Sequence, residues 1–530
     1  MRPEDQERAV EEVVSRVVDA AAANGGAALE AAIADTIYHE RQRVQRARPS
    51  KERSRDLARW DRTRSRLLAG SDTTRRAILR ELVEVFAREV LGNFDERVHA
   101  VATRAIPVGL TALLRATSPF QLVRWRPGRG ARRLEEHLRV DGELEHVRAL
   151  AERGTLICAP THSSNLDSIL LGFGMHEQGF PPLLYGAGLN LFENPLMSFF
   201  MHNLGAYKVD RRKTAPIYKE VLKTYATVSL ELNYDNLFFP GGTRARSGMV
   251  EKKLKLGLLG TGLQAYANNL RAGRERPAIY VVPMVLSYEL VLEAETLIDD
   301  HLREVGRSRY IITDDEFSSP RRILAFLRGL LDLNTRIHLT LMPPLDVFGN
   351  RVDREGRSLD GRGRPIQIDR YLKSRAGELT VDPNRDAEYT RELGRRLVEA
   401  YHAGNTVLPT QLVAFAVFEE LQRLNAGMDL YRLLRTGGTT ESLPLQEAAR
   451  CVDRVRDQLV ALADAGGVRL GDAVRTQRGE ELLVSALRAF GTYHSRPALE
   501  RLGDRVFSRD RNLLYYYRNR LVGYRLGETS

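Results

Sequence analysis

The residues best suited to acid–base chemistry lie in the segment THSSNLDSILLG at positions 161–172. An apolar run at 155–159 predicts a buried strand before it, and a helix is predicted to start near Leu166. With His162 in the turn and Asp167 in the first helical turn, the carboxylate can fold back onto one imidazole nitrogen. Such a pair fixes the tautomer and lets the other nitrogen take a proton from an alcohol.

This pattern is short, so a polar helix cap beside a surface histidine is the alternative interpretation. A metal site is not predicted, because no second histidine or cysteine lies at ligand spacing nearby. Cys158 falls inside the predicted strand, where burial suppresses thiol reactivity, and we assign it to the core.

Two later segments are rich in basic residues. NLGAYKVDRRKT (203–214) places Arg211 after a short predicted strand, and a guanidinium can hold a phosphate through two parallel hydrogen bonds. NLFFPGGTRARSGMVEKKLKLG (236–257) joins Gly242 in a Pro-Gly-Gly turn to Arg244 and Arg246, and glycine lets main-chain N–H groups approach an anion. Taken singly, each segment fits a solvated loop as well as an anion site.

A fourth segment, AIYVVPMVLSYE (278–289), is an apolar strand interrupted by Pro283. By itself it predicts only core structure. Together, however, the blocks at 162–167, 205–211, 239–248 and 282–289 resemble the glycerolipid acyltransferase family. The likeness is closest to its glycerol-3-phosphate acyltransferase branch, through the segments 185–207, 406–418 and the C-terminal LLYYYRNRL. It is strongest over about 150–350, and residues 1–70 contribute nothing to it.

The resemblance implies direct transfer of a fatty acyl group, without an acyl-enzyme and without a cofactor. The donor would be acyl-CoA or acyl-ACP, the acceptor the sn-1 hydroxyl of glycerol 3-phosphate, and the reaction the first step of phospholipid synthesis. His162 would act as the base and Asp167 would orient it. The other assignments are phosphate binding for Arg211, Gly242, Arg244 and Arg246, and an acyl or substrate pocket for Pro283 and Tyr288.

The third block departs from the family pattern at one position. A glutamate usually precedes its glycine, and this chain has Gly241 there. Either a neighbour such as Glu251 substitutes for the missing carboxylate, or the acceptor preference has changed. Alternative functions are acylation of lysophosphatidate or dihydroxyacetone phosphate, or an inactive homologue that binds lipid or phosphate.

The elements that must position these residues form an α/β unit. Short apolar runs alternate with helical stretches between about 130 and 350, which predicts a mostly parallel sheet flanked by helices. We predict an N-terminal helical region (1–125), an acyltransferase-like α/β domain (126–350), a Gly/Arg-rich linker (351–383) and a C-terminal helical region (384–530).

The chain carries 80 Lys+Arg against 69 Asp+Glu, a formal charge of +11, which favours anionic partners. Residues 41–66 are strongly basic but contain no nucleic-acid recognition motif, so no nucleic acid is predicted. With two cysteines, no signal peptide and no apolar run of membrane-spanning length, we expect a cytoplasmic protein on the inner face of the cell membrane. The segment 106–126 combines apolar, aromatic and basic residues, which predicts membrane contact, although packing inside the protein fits equally well.

Overall fold

The computed structural model describes residues 1–23, 25–46, 49–95, 98, 138–188, 205–210, 212–305 and 337–526. The predicted membrane-contact segment at 106–126 and Arg211 therefore lie outside the described residues.

Four helices begin the chain. They are α1 (Pro3–Ala23), α2 (Gly26–Arg46), α3 (Lys51–Ala69) and α4 (Asp72–Val90). Serine side chains cap two of them, because Ser50 accepts from the N–H of Arg53 and Ser71 from that of Thr74. Four valines that share one face of α1 are buried: Val10, Val13, Val14 and Val17. Most of the basic stretch at 41–66 lies in the end of α2 and in α3.

The central region alternates strands and helices. In order, these are β1 (Leu138–Gly142), α5 (Leu144–Ala151), β2 (Thr155–Pro160), α6 (Asp167–Glu177), β3 (Leu184–Gly188), β4 (Ala206–Val209), α7 (Pro216–Glu231), β5 (Asn236–Leu237), α8 (Leu256–Arg271), β6 (Ile279–Ser287), α9 (Ala294–Val305), β7 (Ile337–Leu341) and β8 (Leu345–Asp346). The strands β6, β2, β5, β3 and β4 are neighbours in that order and run parallel. β7 and β8 pair antiparallel with β6, and β1 pairs parallel with β7. The α/β fold with a mostly parallel sheet is thus confirmed.

The segment predicted to be a linker is structured. It holds β9 (Arg351–Val352), β10 (Ser358–Leu359), β11 (Pro365–Ile366) and a 3₁₀ helix (Ile368–Leu372). These short strands extend the central sheet antiparallel from β8. Gly356 and Gly363 adopt φ values of 84° and 77° in the intervening turns, which glycine permits without strain. Its Gly/Arg composition reflects tight turns between strands.

The C-terminal region is mainly helical. Its elements are α10 (Pro383–Gly404), β12 (Thr406–Val407), α11 (Pro409–Leu424), α12 (Leu430–Thr436), β13 (Ser442–Pro444), α13 (Leu445–Asp464), β14 (Arg469–Leu470), α14 (Asp472–Thr476), α15 (Gly479–Phe490), β15 (Glu500–Leu502), β16 (Arg505–Phe507), α16 (Arg511–Arg518) and a final 3₁₀ turn (Asn519–Leu521).

Both faces of the sheet are covered, which explains why its strands are continuously apolar. Leu156 and Cys158 of β2 belong to a core shared with the C-terminal helices. Ile157 and Ala159, which point to the opposite face, belong to a core shared with α8 and α10. A third core joins the N-terminal helices to α7. Because the C-terminal helices share a core with the sheet, they can reach the carboxyl ends of β2 and β6.

Candidate active site

The turn after β2 brings His162 and Asp167 together. Nδ1 of His162 lies 2.9 Å from Oδ2 of Asp167. The turn keeps residues 161–166 out of the helix, so that Asp167 begins α6 and its side chain faces back toward the strand. Since Nδ1 is engaged with the carboxylate, Nε2 is the nitrogen suited to exchange a proton with a substrate.

The carboxylate of Asp167 is fully buried and receives several hydrogen bonds. Oδ2 also accepts the main-chain N–H groups of Ser163 at 2.6 Å and Ser164 at 3.0 Å. The hydroxyl of Tyr288, the residue that follows β6, donates to Oδ1. Together with the N-terminal end of α6, these donors stabilise negative charge on Asp167 and fix its orientation.

The segment from Phe239 to Glu251, which begins with the third block, contacts His162 from the other side. The imidazole stacks on Phe239, with ring centroids 4.1 Å apart and planes inclined by 23°. The main-chain carbonyl of His162 accepts the N–H of Ala245 at 2.7 Å. Its main-chain N–H donates to Oε1 of Glu251 at 2.6 Å. The histidine is therefore fixed through both its ring and its backbone.

Burial raises the pKa of the Glu251 side chain from its ordinary 4.5 to about 7. The hydrogen bond from the N–H of His162 and the charge of Arg520 oppose that rise. The second oxygen, Oε2, is shielded from solvent and has no hydrogen-bond partner among the described residues.

Arg244 forms an ion pair beside the catalytic turn. Its Nη1 lies 3.3 Å from Oε1 of Glu293, whose side chain is fully buried. Glu293 also accepts the hydroxyl of Ser164 at 2.7 Å and the N–H of Asn165 at 3.0 Å. Through Glu293, the position of the guanidinium is linked directly to the turn that carries His162.

The other residues predicted to bind phosphate are placed differently. Arg246 pairs with the exposed Glu304 of α9, at 2.9 Å between Nη1 and Oε2. Gly242 has a φ of 75°, and a Cβ there would lie 2.8 Å from Cγ of Lys255, so both conformation and space require glycine. The structure thus places Arg244 nearest the catalytic pair and directs Arg246 toward α9.

The residues predicted to line an acyl pocket lie beneath the catalytic turn. Pro283 is buried within β6 opposite Ala159 of β2, and its carbonyl accepts the N–H of Met342 at 2.9 Å. Tyr288 directs its hydroxyl at Asp167 and borders a cavity of about 20 Å³, the space of about one water molecule. The hydrogen bond from Tyr288 to Asp167 supports the turn, and an acyl or substrate pocket at Pro283 and Tyr288 remains a prediction.

The C-terminal segment contributes residues that sequence reasoning did not assign. Nδ2 of Asn519 donates to the carbonyl of Ser247 at 2.9 Å. The buried guanidinium of Arg520 donates to the carbonyl of Leu286 at 3.0 Å and to Oδ1 of Asn405 at 2.7 Å. The available signal was the polar run Arg518-Asn519-Arg520, which lies between apolar and aromatic residues.

Cys158 is fully buried in β2, and burial raises the pKa of its thiol well above the ordinary value, which disfavours a nucleophilic thiolate. Within the described residues, no group of three or more His, Cys, Asp or Glu side chains is arranged to hold a metal ion. No helix in that same part of the chain is long and apolar enough to cross a membrane.

Comparison with known proteins gives a family match for the central part of the chain. Residues 139–287, which span β1 to β6 and contain the His162–Asp167 pair, match the family model described as Acyltransferase. This segment is an acyltransferase domain. The match covers the first three blocks and most of the fourth, so the acyltransferase domain contains every predicted site residue except Tyr288.

Several proteins that are similar to this chain share the name glycerol-3-phosphate acyltransferase. A glycerol-3-phosphate acyltransferase of Aeromonas hydrophila is 35% identical over 375 residues, or 67% of this chain and 41% of that protein. A glycerol-3-phosphate acyltransferase of Pseudomonas syringae pv. tomato is 25% identical over 305 residues, or 55% of this chain and 32% of that protein. A glycerol-3-phosphate acyltransferase of Haemophilus ducreyi is 28% identical over 241 residues, or 45% of this chain and 25% of that protein. The aligned part therefore spans less than half the length of these relatives.

Proposed function

We propose that this protein is an O-acyltransferase that moves a fatty acyl group from a thioester to a hydroxyl of glycerol 3-phosphate. The observation that carries the proposal is the His162–Asp167 hydrogen bond of 2.9 Å at the carboxyl end of β2, inside the acyltransferase domain. The names of its relatives support glycerol 3-phosphate as the acceptor. We further propose acyl-CoA or acyl-ACP as the donor and the sn-1 hydroxyl as the site acylated.

In this mechanism Nε2 of His162 takes the proton of the acceptor hydroxyl, and the hydroxyl oxygen attacks the carbonyl carbon of the thioester. The tetrahedral intermediate collapses with cleavage of the C–S bond, and the thiolate leaves with the proton from the imidazolium. Asp167 holds the imidazole in the required tautomer and stabilises its positive charge. In this proposed mechanism no covalent acyl-enzyme forms.

The acceptor phosphate would be held next to the catalytic turn by Arg244. Its guanidinium has five N–H donors, so Glu293 can fix its position while it also contacts a phosphate. Main-chain N–H groups near Gly242 would complete the anion site, and Arg246 and Arg211 remain further predicted members. Holding the hydroxyl against the carbonyl in this way can lower a barrier by ~7–11 kcal/mol in favourable cases.

We also propose that the protein works on the surface of a membrane, because its product carries a long acyl chain that must enter lipid. The basic surplus of the chain, +11, favours attraction to anionic headgroups.

Release of free thiol tests the activity. Purified protein is incubated with palmitoyl-CoA or palmitoyl-ACP, and thiol is measured with and without glycerol 3-phosphate; the acylated product is identified by mass spectrometry and its position by lipase digestion. Thiol release that requires glycerol 3-phosphate, but not glycerol, supports the proposal. Release only with lysophosphatidate or dihydroxyacetone phosphate would reassign the acceptor, and no transfer with any acceptor would contradict an active enzyme.

A further inference from the structure

The position where this chain lacks the family's glutamate is filled by another side chain. Gly241 does not have a left-handed φ, so its backbone accepts any residue type. A Cβ built there would lie 3.2 Å from Cγ and 3.5 Å from Oε1 of Glu251. Two acidic side chains cannot both occupy this space without a shift.

The loop between β5 and α8 explains how Glu251 reaches back to Gly241. The N–H of Lys255 donates to the carbonyl of Pro240 at 2.6 Å, which closes the loop at its base. Within it, the N–H of Gly248 donates to the carbonyl of Ala245 at 3.0 Å and turns the chain. Gly248 has a φ of 79° and packs against the carbonyl of Tyr516, where a Cβ would lie 2.2 Å from the oxygen. The second half of the loop, which carries Glu251, therefore lies beside the first half, which carries Gly241.

From this place Glu251 acts on the catalytic turn. Oε1 accepts the main-chain N–H of His162 at 2.6 Å, while the N–H of Ala245 donates to the carbonyl of the same residue at 2.7 Å. The histidine backbone is thus bonded on both sides to the loop that also carries Arg244.

We propose that Glu251 replaces the carboxylate missing at position 241 and is the positioning residue that sets His162 for proton transfer. The expected effect on kcat rests on the proposed function, whereas the contacts of Glu251 do not. Of the two alternatives given for Gly241, the proposal favours a substitute carboxylate at Glu251 over a changed acceptor preference. Glu251→Gln keeps an oxygen that can accept the N–H of His162, whereas Glu251→Ala removes it.

The test exchanges the two positions. Four variants are compared with the unaltered chain: Glu251→Ala, Glu251→Gln, Gly241→Glu, and the double variant Gly241→Glu with Glu251→Ala. We expect kcat to fall about 10²-fold in Glu251→Ala, since small misplacement of a catalytic group has costs of that size. Gly241→Glu should be similarly impaired because its side chain meets Glu251. Glu251→Gln and the double variant should stay within about tenfold of the unaltered chain, the equivalent of one hydrogen bond.

Hydrogen–deuterium exchange of the peptide covering 161–166 gives a second readout that needs no activity. Exchange should be faster in Glu251→Ala and near the unaltered rate in Glu251→Gln and in the double variant. Glu355→Ala, at an exposed acid in the turn between β9 and β10, serves as a control for loss of a surface carboxylate.

Two results would overturn the inference. One is a folded Glu251→Ala variant with unchanged kcat and unchanged exchange at 161–166. The other is a folded double variant that is no better than the single ones in either readout. If the double variant does not fold, the contrast between Ala and Gln at 251 decides alone. If the unaltered chain transfers no acyl group, the proposed function fails, and the exchange data still decide whether Glu251 holds the turn.

Discussion

The hydroxyl of Tyr288 donates a hydrogen bond to Oδ1 of Asp167, a residue 121 positions earlier in the chain. The opposite oxygen of the same carboxylate lies 2.9 Å from Nδ1 of His162. Burial and the neighbouring Asp167 charge raise the pKa of Tyr288 well above its ordinary value, so the phenol remains a donor throughout the physiological range. Tyr288 thus fixes the carboxylate that fixes the imidazole.

Replacing Tyr288 with Phe removes this donor and keeps the ring. We expect kcat to fall between about tenfold and a hundredfold, the range for a hydrogen bond to a charged group, with little change in KM for either substrate. The control is Tyr280→Phe on the same strand, whose hydroxyl donates to the carbonyl of Gly356 at 3.3 Å, away from the turn. Equal kcat values in the two variants would contradict a role for Tyr288.

His162→Ala should lower turnover by at least about 10²-fold while the protein stays folded, because general-base assistance is removed. Circular dichroism and thermal melting check the fold. His176→Ala, at an exposed histidine near the end of α6, is the matched control and should retain turnover. Near-normal turnover in folded His162→Ala would show that another group accepts the proton.

Arg244→Ala should raise KM for glycerol 3-phosphate by about tenfold to a hundredfold and leave KM for the acyl donor nearly unchanged. Arg244→Lys retains the charge beside the buried Glu293 and should be affected less, which separates phosphate binding from disruption of the ion pair. Arg391→Ala, at an exposed arginine of α10, is the control. Equal increases for both substrates would assign Arg244 to general support of the turn.

The stability of the protein should depend on the buried carboxyl group of Glu289. Burial raises its pKa from 4.5 to about 7, and Oε1 accepts the N–H of Thr410 at 2.9 Å. Because the folded state binds the proton more tightly than the unfolded state, the free energy of unfolding is lowered as the pH rises from about 4.5 through about 7. Glu289→Gln stays neutral and can still accept from Thr410.

The Glu289→Gln variant should therefore gain stability relative to the unaltered chain as the pH rises, with the difference smallest near pH 4.5 and largest above pH 7. Urea unfolding midpoints measured from pH 5 to pH 8 check this. Other buried carboxyl groups titrate in both proteins, so the difference between them isolates Glu289. A difference that stays constant with pH would contradict the raised pKa.

Vesicle co-sedimentation tests the proposed membrane surface. The protein should sediment with anionic vesicles at low salt and be released as salt is raised, since each basic residue near the surface contributes roughly 1 kcal/mol. Replacing Phe120 and Trp125, in the predicted contact segment 106–126, with Ser should weaken binding. Binding that is unchanged by these substitutions would assign the contact to another part of the chain.

The sequence by itself determined the local features of this protein. A continuous apolar run predicted β2 because a strand covered on both faces has no polar side. The spacing of His162 and Asp167 predicted their pairing because it spans one strand-to-helix turn. The apolar residues of α4 recur at helical spacing and are buried, and Ser71 caps that helix. Each of these depends on residues close together in the chain, where the geometry of a turn or helix limits the outcomes.

Only the tertiary structure decided what surrounds the pair. Tyr288 meets Asp167, Glu251 fills the space beside Gly241, and Arg520 reaches the end of β6, although local periodicity links none of them. The short strands at 351–366 were also missed, because two-residue strands between glycine turns have no periodic signal and form only against β8. Contacts between distant segments depend on how the sheet and the C-terminal helices share a core, and no pattern within one segment specifies that arrangement.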